Sequence, residues 1–223
     1  MIVVTGGSGF IGTNLVRSLL ELNHKVLVVE ELDRQPHKFK NIDSLEIVDC
    51  IGHDVFIKNL LNEKYKNKIE YIFHLGACSK TTEPDREYVM DVNLNYSKKL
   101  LEYSANNNIN MIYAWSASVY GSGNIFSENP ANESSLNHYS ESKLQFDNYV
   151  RKNFNKINSQ IVGIRYFNVY GPYEQHKEVM SSVIFHFYNQ IKDIGKLKLF
   201  RGSHGYSDGC LLYTSPSPRD GQI

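Results

Sequence analysis

The chain has 223 residues, of which 41% are hydrophobic and 22% are charged. That composition is typical of a soluble globular protein with one large domain, or with one domain and part of a second. Its 24 basic and 24 acidic residues give a formal net charge of +0, so no overall basic field attracts nucleic acid or an anionic membrane. We therefore expect neither nucleic acid nor a membrane as a partner.

The cysteine content and the N-terminus indicate where the protein works. Cys50, Cys78 and Cys210 are too few and too scattered for a disulfide framework or a zinc site, and they fit a reducing compartment. The chain enters an apolar strand at once, without the basic segment and cleavage site of a signal peptide, and no apolar run is long enough to span a bilayer. We expect a cytoplasmic protein without a metal site.

Short apolar segments alternate with amphipathic segments along the chain. The pattern predicts strands over residues 1–5, 25–30, 70–75, 110–116 and 160–166. It predicts helices over residues 11–22, 54–62, 85–106, 139–154 and 180–194. Strands and helices that alternate in this way form a parallel sheet with helices on both faces. We therefore predict an α/β fold, a doubly wound parallel sheet of the Rossmann type.

A glycine triplet, Gly6, Gly9 and Gly12, lies where the first predicted strand meets the first predicted helix. In dinucleotide-binding folds the first glycine permits a tight turn, the second lets the backbone approach the pyrophosphate, and the third allows close packing of helix and strand. The phosphates then lie at the helix N-terminus, where N–H groups and the helix dipole favour negative charge. The triplet predicts a dinucleotide site.

The end of the second predicted strand bears on the choice between NAD and NADP. Glu30 stands where an acidic side chain binds the adenosine ribose hydroxyls of NAD. Arg34, His37 and Lys38 follow closely and suit the 2′-phosphate of NADP equally well, or they are ordinary surface charges. These residues leave the choice open.

Three residues downstream suit proton transfer. Tyr139 and Lys143 are four positions apart on a predicted helix, so they lie on one face. A free tyrosine has a pKa of about 10, and a neighbouring ammonium group favours its phenolate form. Ser116, at the end of a predicted strand, is suited to hydrogen-bond a reacting oxygen. Together with the dinucleotide site, these residues indicate hydride chemistry on an alcohol or a ketone.

The chain is similar to the extended short-chain dehydrogenase/reductases. The segments that carry this resemblance are TGGSGFIG from Thr5, HLGACS from His74, SASVYG from Ser116, YSESK from Tyr139 and RYFNVYGP from Arg165. Within that superfamily, the GACS segment and the pair His176-Lys177 with His186 most resemble the ADP-L-glycero-D-manno-heptose 6-epimerases. The resemblance runs from residue 1 to about residue 203.

The resemblance implies a mechanism. Such epimerases invert one carbinol centre of ADP-heptose, for lipopolysaccharide core biosynthesis, through a transient ketone formed with NADP, although NAD remains possible. Two proton-handling groups, one for each face, are implied to be Tyr139 and Lys177, with Ser116 and Lys143 completing the catalytic set. Without the resemblance, Lys177 is better interpreted as a surface lysine.

The resemblance also implies two sets of binding residues. Those at the cofactor are Gly6, Gly9, Phe10, Ile11, Gly12, Glu30, Glu31, Lys38, Leu75, Gly76, Ala77, Cys78, Ser79, Asn93, Lys143, Val169 and Lys177. Those at the substrate are Ser116, Asn168, His186, Phe200, Arg201, Gly202 and Ser203. Judged by its own helix alone, His186 is more often a core histidine than a ligand.

Four positions depart from the pattern of these epimerases. His53 replaces a usual lysine, Leu75 a glutamate, Val92 an asparagine and Val179 a serine. Each departure is expected to weaken a contact and leaves the catalytic residues unchanged. They bear on the affinity for the cofactor and on the identity of the sugar nucleotide.

We expect three regions along the chain. Residues 1–166 are predicted to form an NAD(P)-binding Rossmann domain, and residues 167–204 the start of a substrate-binding domain that is incomplete here. Residues 205–223 are proline-rich and without periodicity, and we expect them to be a non-native tail on a truncated epimerase. At full length, the resemblance implies a homo-oligomer.

Rival functions share the same fold. Sugar-nucleotide 4,6-dehydratases place an Asp-Glu pair after the catalytic Ser or Thr, whereas Ser116 is followed by Ala117-Ser118, so dehydration is disfavoured. A UDP-hexose 4-epimerase is the stronger enzyme alternative. A truncated fragment that binds the cofactor without turnover is an alternative of a different class.

Overall fold

A computed structural model describes residues 1–31, 36–123 and 125–199. Four predicted substrate-binding residues, Phe200, Arg201, Gly202 and Ser203, lie outside the described residues, as do Arg34, Cys210 and the expected tail at 205–223. No helix in the described part of the chain is both long enough and apolar enough to cross a membrane.

The described chain alternates strands with helices. The strands are β1 (Ile2–Thr5), β2 (Val26–Val29), β3 (Asp49–Ile51), β4 (Tyr71–His74), β5 (Asn110–Ser116) and β6 (Ile161–Tyr166). The α-helices are α1 (Phe10–Glu21), α2 (His53–Leu61), α3 (Arg86–Met90), α4 (Tyr96–Asn106), α5 (His138–Asn153) and α6 (Val183–Ile194). A π-helical turn, Asp91–Asn95, joins α3 to α4. Short 3₁₀ segments cover Pro36–Asn41, Ala117–Tyr120, Pro130–Asn132, Phe154–Lys156 and Gln175–Met180.

The six strands form one parallel sheet in the order β3-β2-β1-β4-β5-β6. This order confirms the predicted Rossmann-type fold. The chain runs outward in one direction from β1 to β3 and in the other from β4 to β6. The direction therefore reverses between β1 and β4, and in such sheets ligands bind in the crevice at the carboxyl ends of the strands at this point.

Both faces of the sheet bury apolar side chains, as the alternation along β1 shows. Val3 packs on one face with Phe56 of α2 and Leu100 of α4. Val4 packs on the opposite face with Val16 of α1. Burial on both faces explains why the strand segments are almost entirely apolar in sequence.

The opposite face is less covered beyond β4. Val162 and Ile164 of β6 are 37% and 40% exposed. Helix α6 has no buried residue, and Ile184, Tyr188 and Ile191 are exposed. The described residues thus leave an apolar sheet edge and an amphipathic helix open to solvent.

Local differences from the sequence prediction have physical causes. Strand β3 was not predicted, because it is three residues long and partly exposed. The predicted helix over 85–106 contains the π-helical turn, which sequence periodicity does not reveal. Helix α6 begins at Val183 rather than at residue 180, because the Ser182 side chain caps it by accepting from the Phe185 N–H.

Candidate active site

The glycine-rich segment forms a close-packed turn between β1 and α1. Gly6 has φ +69°, and a Cβ there would lie 2.7 Å from the Cα of Gly76. A Cβ on Gly12 would lie 2.0 Å from the Gly6 carbonyl oxygen. Gly9 is the N-cap of α1 and no side chain caps the helix, so its first N–H groups remain open to an anion.

A cavity of about 720 Å³ opens beside this turn, at the carboxyl ends of the central strands. Its lining includes predicted cofactor residues from five separate segments: Gly6, Glu30, Glu31, Lys38, Gly76, Ala77, Cys78, Ser79 and Lys177. The fold therefore brings together residues that lie far apart in sequence.

Gly9, Phe10, Ile11 and Gly12 do not line this cavity; they form the N-cap and first turn of α1. Leu75 packs partly against the core on the α1 face of the sheet.

Glu30 holds the glycine-rich turn. Its Oε2 accepts hydrogen bonds from the Ser8 backbone N–H at 3.1 Å and from the Ser8 hydroxyl at 2.7 Å. His37 and Lys38 line the same cavity from the segment Pro36–Asn41. This part of the cavity wall thus combines a carboxylate with cationic and imidazole side chains.

Asn93 lies in the π-helical turn and is buried. Its Oδ1 accepts from the Cys78 N–H at 2.8 Å, and its Nδ2 donates to the Cys78 carbonyl at 3.0 Å and to the Ser142 hydroxyl at 3.0 Å. Asn93 does not line the cavity. It fixes the backbone of a cavity-lining segment and ties that segment to α5.

His74 connects the same elements, and sequence reasoning assigned it no role. Its Nδ1 lies 2.7 Å from Thr5 Oγ1 and its Nε2 lies 2.7 Å from Ser97 Oγ. The Ser97 hydroxyl donates its hydrogen to the Asn93 carbonyl, so it accepts from the His74 Nε2–H. In this tautomer Nδ1 carries no hydrogen and accepts from the Thr5 hydroxyl. Thr5 Oγ1 in turn accepts from the Gly76 N–H at 3.0 Å. Full burial, with a smaller contribution from the charge of the nearby Lys143, lowers the pKa of His74 to about 3.

The predicted proton-transfer residues lie at β5 and α5. Ser116 ends β5, and its Oγ accepts from the Ser118 N–H at 3.2 Å. Tyr139 and Lys143 lie in the first turns of α5 and are buried, and Lys143 Nζ is 5.9 Å from the centroid of the Tyr139 ring. Lys143 donates to the Ala114 carbonyl of β5 at 3.2 Å.

Desolvation dominates the electrostatics of Lys143. Burial lowers the pKa of Lys143 to about 8, and the charge of a Cys78 thiolate would oppose that shift. Of the four residues expected to handle protons, Lys177 lines the 720 Å³ cavity, whereas Ser116, Tyr139 and Lys143 do not.

A network of charges braces the loop between β5 and α5. Arg165 of β6 donates to the Tyr120 hydroxyl at 2.6 Å, to Glu133, and to Asp147 at 3.2 Å. Arg151 donates to both oxygens of Glu133, at 2.7 and 2.6 Å. Burial opposes ionisation of Glu133, but the two guanidinium groups outweigh it and lower the pKa of Glu133.

Lys177 belongs to the segment Gln175–Met180 and lines the cavity. Its Nζ lies 5.6 Å from the centroid of the Phe10 ring, at the start of α1. The next residue, Glu178, has φ 49° and ψ −121°, a backbone conformation that is strained for any residue with a Cβ. The lysine therefore lies on a tightly constrained turn beside the N-terminus of α1.

The remaining predicted substrate residues lie on the C-terminal part of the described chain. Asn168 is exposed and Val169 is partly buried, and neither lines the cavity. His186 lies in α6, its ring 6.1 Å from that of Phe185. Among the described residues none of α6 is buried, and His186 is partly exposed.

Three of the four departures from the epimerase pattern line the cavity: His53, Val92 and Val179. The His53 ring packs edge-on at 5.5 Å from the Tyr96 ring. The Tyr96 hydroxyl is buried and has no hydrogen-bond partner among the described residues. A buried hydroxyl in this position fits a polar group of a ligand in the cavity.

A nicotinamide dinucleotide fits the residues present. Side chains are sterically excluded at Gly6 and Gly12, the N-terminus of α1 is uncapped, and the cavity holds an orphaned hydroxyl at its wall. With the strand order, these features define a dinucleotide-binding protein of the Rossmann class.

Comparison with known sequences narrows that class. The chain belongs to the NAD dependent epimerase/dehydratase family, whose sequence profile matches residues 2–208. The members of this family use a nicotinamide cofactor. The chain is 46% identical over 213 residues to an ADP-L-glycero-D-manno-heptose-6-epimerase of Alkalilimnicola ehrlichii, an alignment that covers 94% of this chain and 65% of that protein.

Solved structures show the same likeness. The Helicobacter pylori ADP-L-glycero-D-manno-heptose-6-epimerase superposes with a TM-score of 0.76 at 35% identity, over 89% of this chain and 65% of that one. A UDP-N-acetylglucosamine 4-epimerase of Methanobrevibacter ruminantium superposes with a TM-score of 0.73 at 28% identity, over 86% and 62%. The chain thus spans just under two thirds of the length of these relatives.

Proposed function

We propose that the protein epimerises ADP-D-glycero-D-manno-heptose to ADP-L-glycero-D-manno-heptose, an isomerase reaction of lipopolysaccharide core heptose biosynthesis. One observation supports the proposal most strongly: Lys177, on the loop after β6, lines the 720 Å³ cavity of a chain that also holds Ser116, Tyr139 and Lys143 on β5 and α5. A second proton carrier suits inversion, which needs one for each face of the ketone. The two heptose epimerases that resemble this chain support the choice of sugar nucleotide.

We propose NADP rather than NAD as the cofactor. The Glu30 carboxylate is engaged by Ser8, while Lys38 and His37 line the cavity beside it and suit a 2′-phosphate. Glu30, His37 and Lys38 would lie beside the adenosine ribose of bound NADP, whose nicotinamide would supply reversible hydride transfer.

The chain's own residues handle the protons. Tyr139 would accept the proton of the reacting hydroxyl, and the Lys143 ammonium beside it favours the phenolate form. Ser116 would donate a hydrogen bond to the reacting oxygen. Lys177 would act when the hydride returns to the opposite face of the ketone. At that step it would donate a proton to the carbonyl oxygen, which becomes the hydroxyl of the inverted centre.

The test is an NMR assay of epimerisation, run in parallel with ADP-heptose and with a UDP-hexose. It uses this chain and a chimera that adds the C-terminal third of the Alkalilimnicola ehrlichii relative. Tyr139→Phe and Lys177→Met are expected to lower kcat by a factor of about 100 or more while cofactor binding persists. The matched controls, Tyr188→Phe and Lys192→Met, remove the same groups from exposed or helix-end positions of α6 and should leave kcat unchanged.

Two other results would contradict the proposal. Turnover of the UDP-hexose but not of ADP-heptose would assign a 4-epimerase, the reaction named for the Methanobrevibacter structure. Cofactor binding by both forms without turnover of either sugar would assign a binding protein. Stronger binding of NAD than of NADP would overturn the cofactor assignment alone.

A further inference from the structure

The loop over residues 171–182 carries Lys177, and a buried carboxylate lies inside it. Glu174 is 3% exposed. Its Oε1 accepts from the Gly171 N–H at 3.2 Å and from the Ser182 hydroxyl at 2.8 Å, and its Oε2 accepts from the Ser182 N–H at 2.6 Å. One side chain therefore joins the first residue of this loop to the last.

The backbone of Glu174 fixes the middle of the same loop. Its carbonyl accepts from the Lys177 N–H at 2.9 Å and from the Ser181 hydroxyl at 3.0 Å. The loop is also tied to α1, because Asn14 donates to the Pro172 carbonyl at 3.0 Å. Glu174 is thus the point at which the contacts of the loop converge.

The charge of Glu174 matches its surroundings. The carboxylate receives two hydrogen bonds from Ser182, which is the N-cap of the twelve-residue helix α6, so it lies at the positive end of that helix dipole. Hydrogen bonds to a charged acceptor are stronger than neutral ones. A buried carboxylate is stable only when such donors surround it.

We propose that Glu174 is a positioning residue, which holds Lys177 against Phe10 and the cofactor cavity by closing the loop over residues 171–182. The inference rests on the proposed function only for the role of Lys177. The placement itself follows from the contacts of Glu174 and from the 5.6 Å distance between Lys177 Nζ and the Phe10 ring.

The donors around Glu174 specify a carboxylate rather than an amide. Gly171 and Ser182 each aim a backbone N–H at a different oxygen. In Glu174→Gln, either orientation of the amide turns its NH₂ group toward one of these N–H donors. The substitution keeps the shape of the side chain but leaves one buried donor opposed, so the loop should open.

The experiment compares Glu174→Gln with Asp193→Asn, which removes one negative charge from an exposed position of α6. Hydrogen exchange measures the amides of Lys177 and Ser182, and acylation followed by mass spectrometry measures the reactivity of Lys177 relative to Lys192. In Glu174→Gln we expect exchange at both amides and acylation of Lys177 to rise at least ten-fold. In Asp193→Asn we expect neither to change.

Activity supplies a second, separable readout. If Glu174 positions Lys177, the Gln variant lowers kcat at least ten-fold, with a smaller change in KM and in cofactor affinity. Unchanged exchange and acylation in the Gln variant would overturn the inference, whatever the activity. If the wild-type protein epimerises no sugar nucleotide, the proposed function fails, while the exchange and acylation results still decide the role of Glu174.

A milder variant keeps the test decisive if Glu174→Gln does not fold. Ser182→Ala removes only the hydroxyl that donates to Oε1 and caps α6. It should raise hydrogen exchange at the amides of Lys177 and Ser182 by a smaller factor than Glu174→Gln does. No change at Lys177 in this variant would count against the inference.

Discussion

Lys143 is a cation that folding removes from water. It is 5% exposed, and its ammonium donates to the Ala114 carbonyl. Burial lowers the pKa of Lys143 from 10.5 to about 8, so the unfolded chain holds this proton more tightly than the folded chain does. The free-energy cost of burying the Lys143 ammonium is fully present below pH 8, and it decreases as the pH rises from 8 to 10.5.

Replacing Lys143 should therefore stabilise the protein while it abolishes activity. The pKa difference corresponds to about 3 kcal/mol, so we expect Lys143→Met to raise the free energy of unfolding at pH 7 by about 2–3 kcal/mol. Urea denaturation at pH 7 and at pH 10 measures the effect, and the gain should shrink at the higher pH. A variant that is less stable than the wild type at pH 7 would show that Lys143 contributes to folding.

Glu178 stores backbone strain directly after Lys177. Its φ of 49° and ψ of −121° cost on the order of 1–3 kcal/mol for a residue with a Cβ. Glycine at this position should relieve the strain. Part of the resulting stabilisation is lost because glycine is more flexible in the unfolded chain, so we expect Glu178→Gly to raise the free energy of unfolding by about 1 kcal/mol.

Glu178→Ala is the matched control for this effect. It removes the same carboxylate but keeps a Cβ, so it should not relieve the strain. Thermal denaturation of the two variants distinguishes the causes. Equal stability of the Gly and Ala variants would refute the strain assignment.

At the scale of elements, the His74 hydrogen-bond chain joins β1, β4 and α4. The two hydrogen bonds of His74 require a neutral ring, because one nitrogen donates to Ser97 and the other accepts from Thr5. The folded pKa of about 3 lies below the ordinary value of 6.5, so the unfolded chain binds the extra proton first. Stability from this group is present above pH 6.5 and is lost as the pH falls toward 3.

His74→Gln should flatten the acid limb of the stability curve. Glutamine keeps a donor and an acceptor but does not titrate. Between pH 6 and pH 4 we expect the wild type to lose about 1.4 kcal/mol per pH unit more than the variant does. His176, whose pKa burial lowers to about 4, titrates in both proteins, so it does not affect the difference. Parallel curves would show that His74 is protonated in the folded state.

Elements with strong local patterns could be predicted from the sequence, and their tertiary contacts could not. The glycine turn, β5 and the face shared by Tyr139 and Lys143 follow from spacing, because each is encoded within a few residues. The short strand β3 depends on pairing with β2. The π-helical turn contains Asn93, whose side chain bonds the distant backbone of Cys78. Glu133 and Glu174 gain their roles from donors that are distant in sequence or lie across a loop, and no local pattern reveals such donors.

At the scale of the whole molecule, the two halves of the site are held by different means. The cofactor half is built on the sheet crevice, where His74 and Asn93 fix its backbone segments. The half that holds Ser116, Tyr139 and Lys143 depends on the Glu133 network, which joins β6 to α5. The loop that Glu174 closes carries Lys177, which lines the cavity. The described residues of α6 and β6 leave an apolar surface exposed beside this half.

We propose that the protein inverts a carbinol centre by removing and returning the same carbon-bound hydrogen. The most direct measurement is epimerisation of ADP-heptose in D₂O, with the inverted carbon observed by NMR. We predict inversion without deuterium at that carbon, because the hydrogen does not exchange with solvent when it travels as a hydride. Deuterium at the inverted carbon would indicate inversion by deprotonation and reprotonation, and it would contradict the account.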